Sequence, residues 1–315
     1  MSLSKNLQDY RFYCLSLALL TMLALFVKPQ VIKRQPVYNF TVIVDITRSM
    51  NAKDYQLKDE AVSRLQFVKQ ALRDLVLKLP CQSKVGLGLF TERKSTLLFE
   101  PIEVCSSYAE IDSVIDNIDW RMAWSADSRI SKGLASTITQ LQDSGSHIVF
   151  LTDGQEAPPV NPRYKTDFSD LKGKLKGLLV GVGGLQNVPI PKYNNQGQQQ
   201  GFYKQDDVPH RSTFGMAPTS SVPVEGYNAR NAPFGSGKVG GDQHLTKLYE
   251  SYLQQLSKQV DWSYHRLETS EQLNKALQIP AFAKQQQVLS DSRPYFAVFT
   301  LILLGLVYFP SLRRC

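Results

Sequence analysis

The run "NFTVIV" at residues 39–44 limits the fold more than any other feature of the sequence. Its apolar, β-branched character reads as a strand buried on both faces, which a sheet provides only when both sides are covered. The same character returns in "KVGLGLF" (84–90), "HIVFL" (147–151) and "KLKGLLVGVG" (174–183). Helical patterns lie between them. Leu65, Val68, Leu72, Leu75 and Leu79 recur at spacings of three and four, and further helices are predicted over about 107–119 and 129–142. Strands alternating with helices predict an α/β fold, a doubly wound, mostly parallel sheet with helices on both faces. "STLLFEPI" (95–102) follows "KVGLGLF" after the short turn "TERK", which predicts one antiparallel edge strand.

Beyond this stretch the composition changes. Residues from about 186 to 242 are rich in Gly, Gln, Asn, Pro and Ser. The first part predicts a hairpin turning on Asn194–Gly197, and 210–241 is too poor in apolar residues to build a core. Order is expected to return with a helix over "DQHLTKLYESYLQQLSKQV" (242–260), the strand "WSYHRLE" (262–268) and the helix "SEQLNKALQ" (270–278).

Both ends carry an uncharged apolar segment, "FYCLSLALLTMLALFV" (12–27) and "YFAVFTLILLGLVYFPSL" (295–312). Each lies at the short end of the ~17–25 residues that cross a bilayer as a helix. The first has two readings, a cleaved signal peptide or an uncleaved anchor; no small-x-small cleavage site precedes "VKPQ", which favours the anchor. The expected organisation is therefore a cytoplasmic N-terminus (1–11), transmembrane helices at 12–27 and 295–312, and one domain at 35–290. Lys5, Arg11, Arg313 and Arg314 argue for cytoplasmic termini, while Lys28, Lys33 and Arg34 lie on the domain side, so charge leaves the orientation open.

The 36 basic and 28 acidic residues give a net charge of +8. The basic residues are dispersed, with no block interleaved with aromatics, so no nucleic-acid partner is expected. His147, His210, His244 and His265 are scattered and adjacent to no cysteine, which argues against a zinc site. No phosphate-binding GxxxxGK[ST] loop, no D-x-D pair and no nucleophile elbow occurs. No catalytic residue is assigned, and the chain is not expected to be an enzyme.

What remains is the aspartate that ends the first strand. In an open α/β sheet, ligands bind at the carboxyl ends of the strands where the order reverses. Asp45 stands at such an end, and Asp153 ends "HIVFLTD". Adjacent strands would bring the two carboxylates together, an unfavourable arrangement unless a cation lies between them. Thr47 and Ser49 supply hydroxyls on the loop leaving the first strand. Such oxygens suit Mg²⁺, with Mn²⁺ or Ca²⁺ as alternatives, rather than Zn²⁺.

These residues carry a resemblance. "DITRSM" resembles the D-x-S-x-S metal motif (MIDAS) of von Willebrand factor A (vWA) domains, "LTDG" resembles their fourth-strand aspartate loop, and "SRISKGL" (128–134) is similar to their T-x-I-G-x-G-L segment. The resemblance implies Thr47, Ser49 and Ser128 as direct ligands, with Asp45 and Asp153 acting mainly through waters. Thr47 replaces the usual serine, Ser128 the usual threonine and Ser131 the usual glycine. Ser128 has a second reading, a helix N-cap. "SRL" (63–65), "PIP" (189–191) and "YLQQL…YHRL" (252–256, 264–267) resemble membrane-anchored bacterial vWA proteins associated with MoxR-type ATPases, and among these the accessory proteins of the methanol-oxidation cluster. That resemblance implies a protein partner supplying an Asp or Glu to the metal. It also implies a MoxR-type ATPase, sibling vWA subunits, and a role in inserting calcium into periplasmic methanol dehydrogenase. The alternative is a membrane vWA component acting with such an ATPase on another client.

Cys81 precedes one strand of the predicted hairpin and Cys105 follows the other, so pairing the strands brings the cysteines together although they are 24 positions apart. A Cys81–Cys105 disulfide belongs to an oxidising compartment, whereas two buried inert thiols are the alternative. The expected placement is thus the inner membrane, with the vWA domain in the periplasm and the termini cytoplasmic.

Overall fold

The structure, a computed structural model, describes residues 10–27, 30–125, 127–160, 165–194, 196–208 and 241–308. In chain order the elements are α1 (Tyr10–Phe26), β1 (Gln30–Asp45), β2 (Tyr55–Leu57), β3 (Glu60–Val62), α2 (Arg64–Lys78), β4 (Lys84–Thr91) and β5 (Lys94–Glu103). There follow α3 (Tyr108–Asp116), α4 (Ile130–Leu141), β6 (His147–Thr152), β7 (Gly177–Val182), β8 (Val188–Pro189), β9 (Pro191–Tyr193) and β10 (Gln199–Phe202). The last are β11 (Leu245–Thr246), α5 (Glu250–Val260), β12 (Ser263–Leu267), α6 (Ser270–Leu277), β13 (Ala283–Asp291) and α7 (Arg293–Tyr308).

The chain divides into two compact units, one built from residues 1–36 and 285–315 and the other from 37–284. In the larger unit the sheet order is β12-β7-β6-β1-β4-β5, with β5 antiparallel to β4 and the other neighbours parallel. The chain winds outward from β1 in both directions, so the order reverses beside it. Side chains of β1 alternate between two cores. Phe40, Val42 and Val44 face one that includes Leu72 and Leu75 of α2, Ile111 and Ile115 of α3, and Leu273 and Leu277 of α6. Ile43 faces the other, with Ile130, Leu134 and Ile138 of α4 and Leu253 and Leu256 of α5. The doubly wound sheet and its antiparallel edge strand are as the sequence predicts. The helix at the start of the late segment is shorter than expected: Leu245–Thr246 pairs with β8, and α5 begins only at Glu250. The β9–β10 hairpin turns near Asn194–Gly197, while most of 210–241 lies outside the described residues.

The smaller unit corrects the expected membrane spans. Its apolar segments form α1, of 17 residues, and α7, of 16 residues, joined by a hydrogen bond between Thr21 Oγ1 and Thr300 Oγ1 (2.7 Å). Among the described residues no helix is long and apolar enough to cross a membrane. Seventeen helical residues reach about 25 Å, short of a hydrocarbon core of about 30 Å. The chain leaves helix before Gln30, where β1 begins well ahead of residue 39, and β13 pairs with β1. The flanking transmembrane helices, and with them the inner-membrane placement with cytoplasmic termini, are not supported; residues 309–312 of the second expected span lie outside the described residues.

At the start of β4 and the end of β5, Cys81 and Cys105 form a disulfide with a Cα separation of 5.3 Å. Glu103 fastens the same spot, its two carboxylate oxygens accepting the backbone N–H of Gln82 and of Ser106, both at 2.6 Å. Burial opposes ionisation of Glu103, but these donors prevail and hold its pKa down to about 2. A carboxylate held below its ordinary range stabilises the fold above about pH 4.5 and loses that contribution as pH falls toward 2. Glu103→Gln is therefore expected to flatten the acid limb of the stability curve between these values. Thermal melts of both proteins from pH 2 to 7 check it; parallel acid limbs would refute it.

Candidate metal centre

Asp45 ends β1 beside β4 and β6, and its place follows from strand register. Val44 pairs with Leu151, which sets Asp45 level with Thr152, whose hydroxyl donates to Asp45 Oδ2 at 2.6 Å. Asp45 Oδ1 accepts the backbone N–H of Thr47 at 2.8 Å, an Asx turn that bends the chain out of the sheet. A 3-10 turn over Arg48–Asn51 follows, anchored by fully buried Met50. The turn brings Thr47 Oγ1 and Ser49 Oγ within 3.4 Å of each other.

Asp153 follows β6 directly. Its Oδ1 accepts the N–H of Gln155 at 2.9 Å, and its Oδ2 accepts from Arg64 Nη1 at 2.7 Å and Thr246 Oγ1 at 3.1 Å. Ser128 lies on a strip bridged to the turn after β4 and to the loop after β6. It exchanges backbone hydrogen bonds with Ala157 (2.7 and 2.8 Å), while Arg129 N–H donates to Glu92 O. Arg129, not Ser128, caps α4, so the N-cap reading of Ser128 falls. Its hydroxyl is buried and makes no hydrogen bond.

Asp45, Thr47, Ser49, Ser128 and Asp153 are all buried. Burial, then the charge of Asp153, pushes the Asp45 carboxyl up to about 7, against hydrogen bonds from Thr152 and Thr47. Two buried carboxylates, with the hydroxyls of Thr47 and Ser49 and the buried hydroxyl of Ser128 that makes no hydrogen bond, make a donor set that fits a hard divalent cation.

Sequence reading missed the residues behind this mouth. Thr152, Thr246 and Arg64 hold the aspartates, with Asp54 behind Arg64, and only "SRL" and "LTDG" contain any of them. Trp120 packs on Tyr193, with ring centroids 5.5 Å apart. Trp124 is 57% exposed and donates to Glu92 Oε2 at 3.3 Å, on the Ser128 side of the mouth.

Residues 40–155 match the von Willebrand factor type A domain family. The matched stretch contains all five candidate ligands. Among solved structures, an aerotolerance-related membrane protein from Bacteroides fragilis, carrying multiple mutations to serines, is 18% identical with a TM-score of 0.46. That alignment covers 76% of this chain and 96% of that one. The conserved hypothetical protein BatB from Bacteroides thetaiotaomicron is also 18% identical, with a TM-score of 0.47 and coverage of 76% and 94%. Proximal thread matrix protein 1 from the mussel byssus, solved with a zinc-occupied MIDAS motif, is 15% identical with a TM-score of 0.31, covering 48% of this chain and 39% of that one. No curated protein matches the chain.

Proposed function

We propose that this chain is a protein-docking module, not an enzyme, whose metal mouth is completed by a carboxylate from a partner. The carrying observation is the buried hydroxyl of Ser128, without a hydrogen bond, on the strip between the turn after β4 and the loop that follows Asp153. A bound divalent cation, Mg²⁺ by the hardness of the oxygens, would supply an electrophilic coordination position. Thr47, Ser49 and Ser128 would hold it directly. Asp153, with both oxygens already engaged, would act from behind through water. The finer reading names a client. The likeness of "TDGQEAPP" and the "YLQQL…YHRL" tail to MxaL supports methanol dehydrogenase, with calcium insertion assisted by a MoxR-type ATPase and sibling vWA subunits. The cation of the mouth is distinct from that delivered calcium.

Two measurements test the docking reading. Isothermal titration of the full chain with Mg²⁺ and Mn²⁺ should show one saturable site, lost in Asp45→Asn. Partner capture from native extracts should need the cation and reverse with chelator, again failing in Asp45→Asn. Capture that survives both chelator and the substitution would refute the mechanism.

A further inference from the structure

Behind the mouth lies an arginine with no solvent exposure, at the first position of α2. Arg64 donates through Nη1 to Asp153 and through Nε and Nη2 to Asp54, the shortest contact on each side being 2.7 Å. Asp54, 8% exposed, also accepts the N–H of Gly184 at 2.8 Å. Gly183 adopts φ +119°, and a Cβ there would stand 2.7 Å from Arg64 Cζ, so backbone presses directly on the guanidinium. A planar, permanently charged fork fixed on two carboxylates over a glycine floor has one available orientation.

The charge count at the mouth follows from this placement. The single charge of Arg64 is shared between Asp153 in front and Asp54 on its far side, so the trio keeps one negative charge in all. We propose that Arg64 is a positioning residue that sets the charge of the metal mouth. By pairing with Asp153 from behind, it lowers the negative charge that Asp153 presents to the mouth, so a bound divalent cation keeps more of its positive charge and selects an anionic partner group. The proposal rests on the docking reading and adds to it the residue that makes the mouth selective for a carboxylate. It also explains why Asp153 would not enter direct coordination, since one oxygen is held by Arg64 and Thr246 and the other by Gln155.

The test is ion affinity as a function of ion charge, on the full chain. Mn²⁺ is titrated calorimetrically, Tb³⁺ by luminescence, and melting is followed in chelator. Arg64→Gln removes the positive charge, so Mn²⁺ should bind on the order of ten-fold more tightly and Tb³⁺ by a larger factor. Asp54→Asn leaves Arg64 unbalanced, so both ions should weaken, Tb³⁺ more. A merely structural role would weaken both ions in both variants and leave the Tb³⁺/Mn²⁺ ratio unmoved. An unchanged ratio in folded Arg64→Gln would overturn the proposal. If that variant does not fold, Asp54→Asn decides, and unchanged affinities there overturn it. Wild-type protein that binds neither ion would bring down the docking reading and this proposal together.

Discussion

Asp153→Ala is expected to cost about 3–5 kcal/mol of stability, the range for breaking a buried ion pair from one side. Arg64, with no exposure, would keep Asp54 and lose its partner on the other side, which sets the cost toward the lower end of that range. Asp45→Asn should behave in the opposite way. The Asp45 carboxyl is raised to about 7, so in cation-free protein its contribution is present below its ordinary value of 3.8 and is lost as pH rises through 7. The asparagine variant should therefore equal or exceed wild-type stability at pH 8 in chelator and lose the decline between pH 5 and 8. Both variants should fail to bind a divalent cation. Denaturant melts at the two pH values separate them. Two variants of equal stability at pH 8 would contradict the asymmetry.

The second large effect is expected at Gly133. This glycine sits in the first turns of α4, and a Cβ built on it would lie 2.0 Å from Phe90 Cε2. The helix can approach β4 this closely only without a side chain there. Gly133→Ala is expected to cost about 1–3 kcal/mol by overpacking. Pushing α4 outward should also carry Ser128, two residues before the helix, away from Asp45, so cation affinity should fall even in protein that remains folded. Calorimetric titration below the melting temperature tests this; a destabilised variant with undiminished affinity would show that Ser128 is not a ligand.

The contrast between the two aspartates marks how far the sequence could be read. Asp45, Thr47, Ser49 and Asp153 were legible because a buried strand ending in a carboxylate has a fixed position in a parallel sheet, and local hydroxyls follow within a turn. The partners that distinguish them were not legible. Arg64 and Thr246 reach Asp153 from 89 and 93 positions away. Arginine is moreover among the residues least expected to be fully buried. The winding of the sheet was legible from "NFTVIV", "KVGLGLF" and "HIVFL", because strands buried on both faces leave few arrangements. The terminal segments misled for a related reason. Hydropathy registers that a stretch is apolar, but helix length is set by where the backbone turns, and "VKPQ" gives way to strand. The β2–β3 pair (55–62) carried too few apolar residues to announce itself.

The disulfide has a consequence for where β5 can fray. β5 is an edge strand, bonded to the sheet through β4, and such strands are the first to fray. Cys81 and Cys105 tie β4 and β5 into a closed hoop of about 25 residues, a constraint worth about 3 kcal/mol in the chain-entropy view. The seam lies at the end of the hoop remote from Asp45, and the "TERK" turn lies at the other. Glu92 of that turn hands its carbonyl to Arg129, next to Ser128. The hoop is thus closed covalently at its base and held by backbone hydrogen bonds at its rim. Loss of the disulfide would therefore release β5 first at its base, the end remote from the Ser128 strip.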